Sequence, residues 1–412
     1  MTEGTAIVPA GTVQSTRLRP LLRMIDGVGH WLFGGSERRP IRMAALRKAA
    51  ERKTGYADWG LTPSYERGAE LLEKDLADFP GRFLGRFTTA DTLREHHENR
   101  LRLHAAMAEP DPDAGLKHPP YIITGLFRCG TTLMHNLLSA VPGRGFVPFW
   151  ELKCPTVVPG RERIARMTVR SVRIFSPEHH TIHPLYWDGA EECWMLMAQS
   201  LRAPSFTVAL DVPNYAAWLD EHDMLEPYLE YRATLEQLSQ SRDTTLVMKG
   251  PGHTGCIDAL HRAVPEARIV FLHRDPAKAV SPYCSLSAVH HRTFYGSYDA
   301  EAIGAKVLER FARFTEAAME QRSRIPDESI IDVYFEDLVD DPVATIRRIG
   351  EHFGDEWSDE AEVAVRAKLA ELPRHKYGKH HYSAAQWGLT ADGIRERFAD
   401  YLREHDLRRE AC

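Results

Sequence analysis

The chain has 412 residues, 43% apolar and 27% charged, which fits a globular protein with a full core and excludes collagen-like, disordered and small disulfide-stapled classes. With 52 Lys and Arg against 58 Asp and Glu the formal charge is −6, so the overall field repels nucleic acid and an anionic ligand needs a local site. Six dispersed cysteines without a CxxC pair point to reduced thiols in the cytoplasm and away from a zinc site built on cysteine.

Residues 1–115 read as a helical N-terminal extension. The first 35 break their apolar run at Arg23 and Asp26, unlike a signal peptide, and no apolar stretch approaches the roughly 20 residues of a membrane span. Residues 88–107 pair Thr88 with Asp91 in a capping-box pattern and carry Leu93, Leu101 and Leu103 among charges, which predicts a surface helix ended by the run EPDPDAG.

From residue 116 to 412 short apolar runs alternate with amphipathic stretches, the pattern of a parallel sheet flanked by helices. Residues 121–124, 245–248, 267–272 and 329–334 read as strands. Leu133, Leu137, Leu138 and Val141 share one helical face, as do Ile303, Val307, Leu308, Phe311 and Phe314. The stretch from about 145 to 240 is richer in Pro, His, Trp and Met, holds one long helical run at 215–238, and is too long for a simple crossover. It is the expected home of a substrate pocket.

The loop after the first strand reads Gly125-Leu-Phe-Arg-Cys-Gly-Thr-Thr132. Gly125 and Gly130 have the spacing of a phosphate-cradling loop, between a strand and a helix. The amides of Gly130, Thr131 and Thr132 are expected at a helix N-terminus, where unpaired donors and the helix dipole favour an anion. Thr131 stands where a nucleotide-hydrolysing loop has lysine, and the cation is Arg128 instead, so the loop suits an anion held by arginine and main chain without dependence on a metal. A second anion signal, the run HRDPAKAVS with Arg274, follows a later strand. Ligands bind beyond the carboxyl ends of such strands, so both arginines reach one edge and suit a nucleotide phosphorylated at both ends.

These residues resemble the sulfotransferase superfamily, in particular its bacterial branch with an RSGTT-type loop. The likeness runs from about Pro119 to the C-terminus through FRCGTTLMHNLL, MKGPGH, VPEARIVFLHRDP, VYFEDLVDDP, YSAAQWGL and IRERFADYL. It implies a P-loop nucleotide-kinase-like α/β fold that binds 3′-phosphoadenosine 5′-phosphosulfate as co-substrate. By that resemblance Arg128, Cys129, Gly130, Thr131 and Thr132 match the loop for the phosphosulfate, and Arg274 matches the residue that grips the 3′-phosphate. The family's serine eight residues after that arginine is Pro282 here, with Ser281 one position earlier. Lys249 and His253 match a Lys-x-Pro-x-His element, and the tail KYGKHHY, with Lys379 and Tyr382, takes the place of the loop that closes over the nucleotide.

Sulfuryl transfer to a hydroxyl needs a base as well as an anion cradle. Glu151 is the first candidate, by its likeness to the base of one branch, and His183 the second, as an imidazole tuned to neutral pH; Glu191, Glu192 and His253 are further candidates, with the two glutamates read as the first turn of a helix. Trp150, Tyr186, Trp187, Trp194 and Phe206 are candidates to line an apolar acceptor pocket. The pairs His179-His180, His290-His291 and His380-His381 lack metal-ligand spacing. The expected partner is a small hydroxylated molecule, with no nucleic acid, no membrane span, and a homo-oligomer left open. Two other readings remain: an ATP-dependent small-molecule kinase of the same fold, against which the missing loop lysine argues, and a non-catalytic nucleotide-binding protein.

Overall fold

Five short strands, buried along most of their length, form one parallel sheet: β1 (Tyr121–Gly125), β2 (Arg144–Phe146), β3 (Thr245–Lys249), β4 (Arg268–His273) and β5 (Ile330–Tyr334), in the order β2-β3-β1-β4-β5. The protein is seen as a computed structural model that describes residues 19–33, 40–60, 62–77, 81–109, 115–156, 158–372 and 383–407. Alternate side chains leave opposite faces of the sheet. Ile122, Leu246, Met248, Ile269 and Phe271 join one apolar cluster, while Tyr121, Ile123, Val247, Val270 and Leu272 join another with Met134, Leu137 and Leu138 from the helix after β1. Covered on both faces, the strands have no need of a polar side, which is why they read as unbroken apolar runs.

Four strands fall where the apolar runs predict them, within a residue at each end. The fifth, β2, pairs parallel with β3 from Arg144↔Thr245 to Phe146↔Val247. Three residues reading Arg-Gly-Phe carry no strand pattern, so only the neighbouring strand defines it.

Two helical expectations are corrected. The helix predicted at 88–107 begins earlier and spans Phe83–Met107, so Thr88 is inside it and its hydroxyl donates to the carbonyls of Leu84 and Gly85 at 2.9 and 3.0 Å rather than capping an end. It is also no surface helix: Leu93, Leu101 and Leu103 are fully buried, and Leu93 and Leu101 share their cluster with the sheet. The run at 215–238 divides into Pro213–Glu221 and Leu225–Gln240, with His222, Asp223 and Met224 between them.

Arg100 joins that first helix to the second. Its guanidinium is fully buried, donates to both oxygens of Glu230 at 2.7 and 2.8 Å and to the carbonyls of Trp59 and Gly60 at 2.8 and 2.7 Å, and lies 4.0 Å from the Tyr65 ring centre. Removing one partner of such a pair leaves an uncompensated buried charge. Arg100→Ala should therefore lower the free energy of unfolding by about 3–5 kcal/mol in urea titrations.

Candidate active site

The carboxyl ends of β1, β3, β4 and β5 all open on one side of the sheet, and the loops that leave them build one wall of a cavity of about 1220 Å³. That is more than the roughly 300–1,000 Å³ usual for one drug-sized ligand, so the space accommodates two ligands side by side.

The loop after β1 makes its turn with three residues in the left-handed region: Gly125 (φ 129°), Arg128 (φ 71°) and Gly130 (φ 92°). Glycine is required at 130 twice over, by the positive φ and because a Cβ there would stand 2.8 Å from the Phe335 ring. Arg128 has no such excuse, and its strained backbone is held from β4: Arg274 Nη1 donates to the Arg128 carbonyl at 2.9 Å. The Arg274 guanidinium lies over Phe335, its carbon 3.7 Å from the ring centre. Thr254 fixes the start of the loop by accepting the Gly125 N–H at 3.1 Å. The turn delivers the chain into the helix Thr131–Leu138, whose Gly130 cap offers no side chain to the first amides.

Arg128, Gly130, Thr131, Thr132, Arg274 and Ser281 all line the cavity. The two arginines of the anion signals lie close together: Arg274 touches the loop that carries Arg128, because β4 is the immediate neighbour of β1. Cys129 is not among the lining residues: its thiol is buried in the core, and burial pushes it up to about 12. Lys379 and Tyr382 lie outside the described residues; the chain resumes at Ser383, and Ser383, Ala384 and Ala385 line the cavity.

Across the cavity stand two consecutive carboxylates. Glu191 and Glu192 are not the first turn of a helix but the extended residues before the 3-10 segment Cys193–Ser200, and they point to different partners. Glu191 receives His183 Nε2 at 2.9 and 3.1 Å and the Glu192 N–H at 2.9 Å; Glu192 takes Lys249 Nζ at 3.0 Å. Burial alone would raise Glu191, but His183 and Lys249 hold it below the usual carboxylate range. Burial likewise works against a charged His183, yet the Glu191 carboxylate wins and raises the imidazole above its ordinary value. His183, Glu191 and Glu192 line the cavity, whereas Lys249 is buried behind Glu192 at the end of β3.

Two base candidates are corrected by this geometry. Glu151 is buried in an ion pair with Arg242 and is not among the lining residues. His253 is sealed in the core between Tyr228 Oη at 2.7 Å and Cys193 Sγ at 3.2 Å, and burial lowers it to about 3, so it stays neutral. Of the aromatic candidates Trp194 lines the cavity. Trp150 and Trp187 instead stack under Arg161 and Arg166, Tyr186 is partly exposed, and Phe206 packs on Tyr215 in the core.

The sequence gives no hint of several lining residues. Phe149, Val172, Leu185, Met195, Val208 and Leu286 supply an apolar wall. His179 and His290, from two different histidine pairs, come together with ring centres 5.4 Å apart beside His183. Burial lowers both, His179 to about 4. Only the fold brings residues 111 positions apart into contact. Among the described residues no cluster of His, Cys, Asp and Glu has the makings of a metal site.

The tail closes the site from the far side. Arg395 pairs with the fully buried Asp275 at 2.7 Å, and Tyr401 Oη lies 2.9 Å from His273 Nδ1, whose Nε2 is 2.8 Å from Asp332. Asp275 also accepts the Ala277 N–H at 3.0 Å. The HRDP run and the IRERFADYL tail are thus two halves of one buried polar network.

The Sulfotransferase family model matches residues 119–359. The chain belongs to the sulfotransferase family. It is 26% identical over 257 residues to the omega-hydroxy-beta-dihydromenaquinone-9 sulfotransferase Stf3 of Mycobacterium bovis and of Mycobacterium tuberculosis, a match that takes in 57% of this chain and 63% of each relative. The match therefore spans less than two thirds of those curated relatives. Among solved structures, sulfotransferase STF9 from Mycobacterium avium superposes with a TM-score of 0.80 at 24% identity, over 91% of this chain and 99% of that one. Sulfotransferase STF1 from Mycobacterium tuberculosis H37Rv gives 0.72 at 28%, over 88% and 100%. The P-loop-like α/β fold implied by the sequence resemblance is that of these sulfotransferases.

If His253 is a core group and no base, its removal is a stability event. His253→Ala, which strands the Tyr228 hydroxyl and opens a void, should cost about 2 kcal/mol in chemical denaturation and leave turnover per folded molecule near that of the parent.

Proposed function

We propose that the protein moves a sulfuryl group from 3′-phosphoadenosine 5′-phosphosulfate to a hydroxyl of a small, largely apolar acceptor. The observation that carries this reading is one cavity with an arginine-and-amide cradle on one wall, a carboxylate-bound imidazole on the other, and apolar side chains between. The curated relatives are named for a menaquinone-derived acceptor, which supports a lipid-like molecule here as well.

In this reading Arg128 and the amides of Gly130, Thr131 and Thr132 hold the phosphosulfate. Arg274 and Ser281, joined by Lys379 and Tyr382 of the tail, hold the 3′-phosphate end. The acceptor oxygen bonds to sulfur, the bond from sulfur to the bridging phosphate oxygen breaks, and 3′-phosphoadenosine 5′-phosphate departs. Charge gathers on the leaving oxygen, where a fixed cation and oriented amides lower the barrier because they need no reorganisation. His183 takes the acceptor proton, and Glu191 orients the ring and stabilises the imidazolium. Lys249, at the end of β3, holds the Glu192 carboxylate and balances its charge behind the cavity wall.

The test is incubation of the purified protein with labelled donor and a panel of hydroxylated apolar compounds, read by mass gain of a sulfo group. Preferential consumption of ATP with Mg²⁺ would instead make it a kinase, and binding of the desulfonated nucleotide with no donor consumption would make it a binding protein. Arg128→Ala should lower turnover by roughly 10²–10³-fold, with His183→Ala comparably impaired.

The pH profile carries a sign. A base whose value is raised is blocked as imidazolium at low pH, so turnover should rise as pH climbs through a midpoint above the ordinary 6.5 of histidine. Glu191→Gln removes the charge that raises it, and the midpoint should move to lower pH. An unmoved midpoint would take the base role away from His183.

A further inference from the structure

Helix Arg19–Phe33 carries its apolar side outward. Met24, Ile25, Val28, Trp31 and Leu32 fall on one stripe at helical spacing, and they make up five of the thirteen large apolar side chains that stand exposed among the described residues, Trp31 at 80%. The opposite side of the helix does the docking. Gly29 is buried against the Phe83 ring, where any side chain would collide, and Asp26 accepts the Leu84 N–H at 3.1 Å. A helix that only covered the fold would be turned the other way, with its stripe on the protein.

The stripe belongs to a basic stretch of the sequence. Between residues 17 and 39 there are five arginines (Arg17, Arg19, Arg23, Arg38, Arg39) against Asp26 and Glu37, a local balance of +3 in a chain whose total is −6. A broad apolar arc with tryptophan, set in an arginine-rich stretch of sequence, is the composition of a helix that lies in a membrane interface. A second copy of the chain fits less well, because a two-fold contact would set this basic stretch against itself.

The position completes the argument. Phe83 stacks on the exposed Phe87, which extends the apolar face along the next helix. Nine residues on, about 14 Å along that helix, Thr92 lines the cavity. The start of the same helix is bonded to the helix Val280–Tyr295, through Arg82 N–H to the Phe294 carbonyl at 2.9 Å, and that helix gives Tyr283, Leu286 and His290 to the cavity wall.

We propose that helix 19–33 docks the protein on an anionic lipid surface through Met24, Ile25, Val28, Trp31 and Leu32, with its arginines on the headgroups, and so sets the cavity beside a membrane-dissolved acceptor. The docking is independent of chemistry; the delivery of acceptor rests on the transfer reading above.

Flotation of the full chain, without donor or acceptor, should carry it up with vesicles of mixed phosphatidylcholine and phosphatidylglycerol and much less with phosphatidylcholine alone. Val28→Asp with Trp31→Asp should weaken that binding by roughly tenfold or more, and Arg23→Glu should weaken it only on the anionic vesicles. Circular dichroism and binding of 3′-phosphoadenosine 5′-phosphate identify variants that stay folded. No flotation of the parent overturns the proposal, and so does flotation that the double variant leaves unchanged. A concentration-dependent dimer that the same substitutions abolish also overturns it, by assigning the face to a second copy. None of these results bears on sulfuryl transfer, which is read separately with a water-soluble acceptor.

Discussion

The strained turn at Arg128 is the constraint on which the site depends. A non-glycine residue in the left-handed region persists only where its surroundings hold it, and here Arg274 does so from the next strand by fixing the Arg128 carbonyl. The turn lifts Gly130 and the first amides of the following helix to the open edge of the sheet, and Gly130 itself offers them no capping side chain. One guanidinium thus both buttresses the loop and lines the cavity. The Phe335 ring lies against the Arg274 guanidinium, and both residues line the cavity.

Buried polar tethers carry this rigidity outward. Asp275, the residue after Arg274, is locked by Arg395 of the tail, and His273, the residue before it, by Asp332 and Tyr401. Arg100 performs the same service on the other side of the molecule, binding the N-terminal helices to the long helix Leu225–Gln240. Each tether would be costly if half made, and each is fully paired. Among its described residues the segment between β2 and β3 has no strand, and its two ends are tied together by Arg242 with Glu151.

What could be read from the sequence follows from the range over which each signal acts. Strands with both faces covered write themselves as apolar runs, and four of the five were visible that way; β2 has three residues and exists by virtue of β3. The loop and Arg274 were legible because their context is local, a strand before and a helix after. Glu151 misled because its partner Arg242 is 91 residues away, and His253 because Tyr228 and Cys193 enclose it from other elements. The stack of His179 on His290 has no trace in either local pattern. A charged or titratable residue announces its type in the sequence, but its employment is set by whichever element the fold lays against it.

The pair Glu191 and Glu192 shows how that employment divides one local feature. In an extended backbone adjacent side chains leave in opposite directions. Glu191 therefore meets His183 on one side while Glu192 meets Lys249 on the other, and two like charges in sequence become two neutralised pairs in space. Glu191 is then free of the lysine that would compete for it at hydrogen-bond range, and His183 has a carboxylate to itself. Across the cavity from the loop stand apolar side chains and a pair of imidazoles that burial keeps neutral. Cations are concentrated at the loop wall, and on the opposite wall His183 and Glu191 balance one another, so on the proposed reading an acceptor bound there would meet a desolvation cost for any net charge it carried.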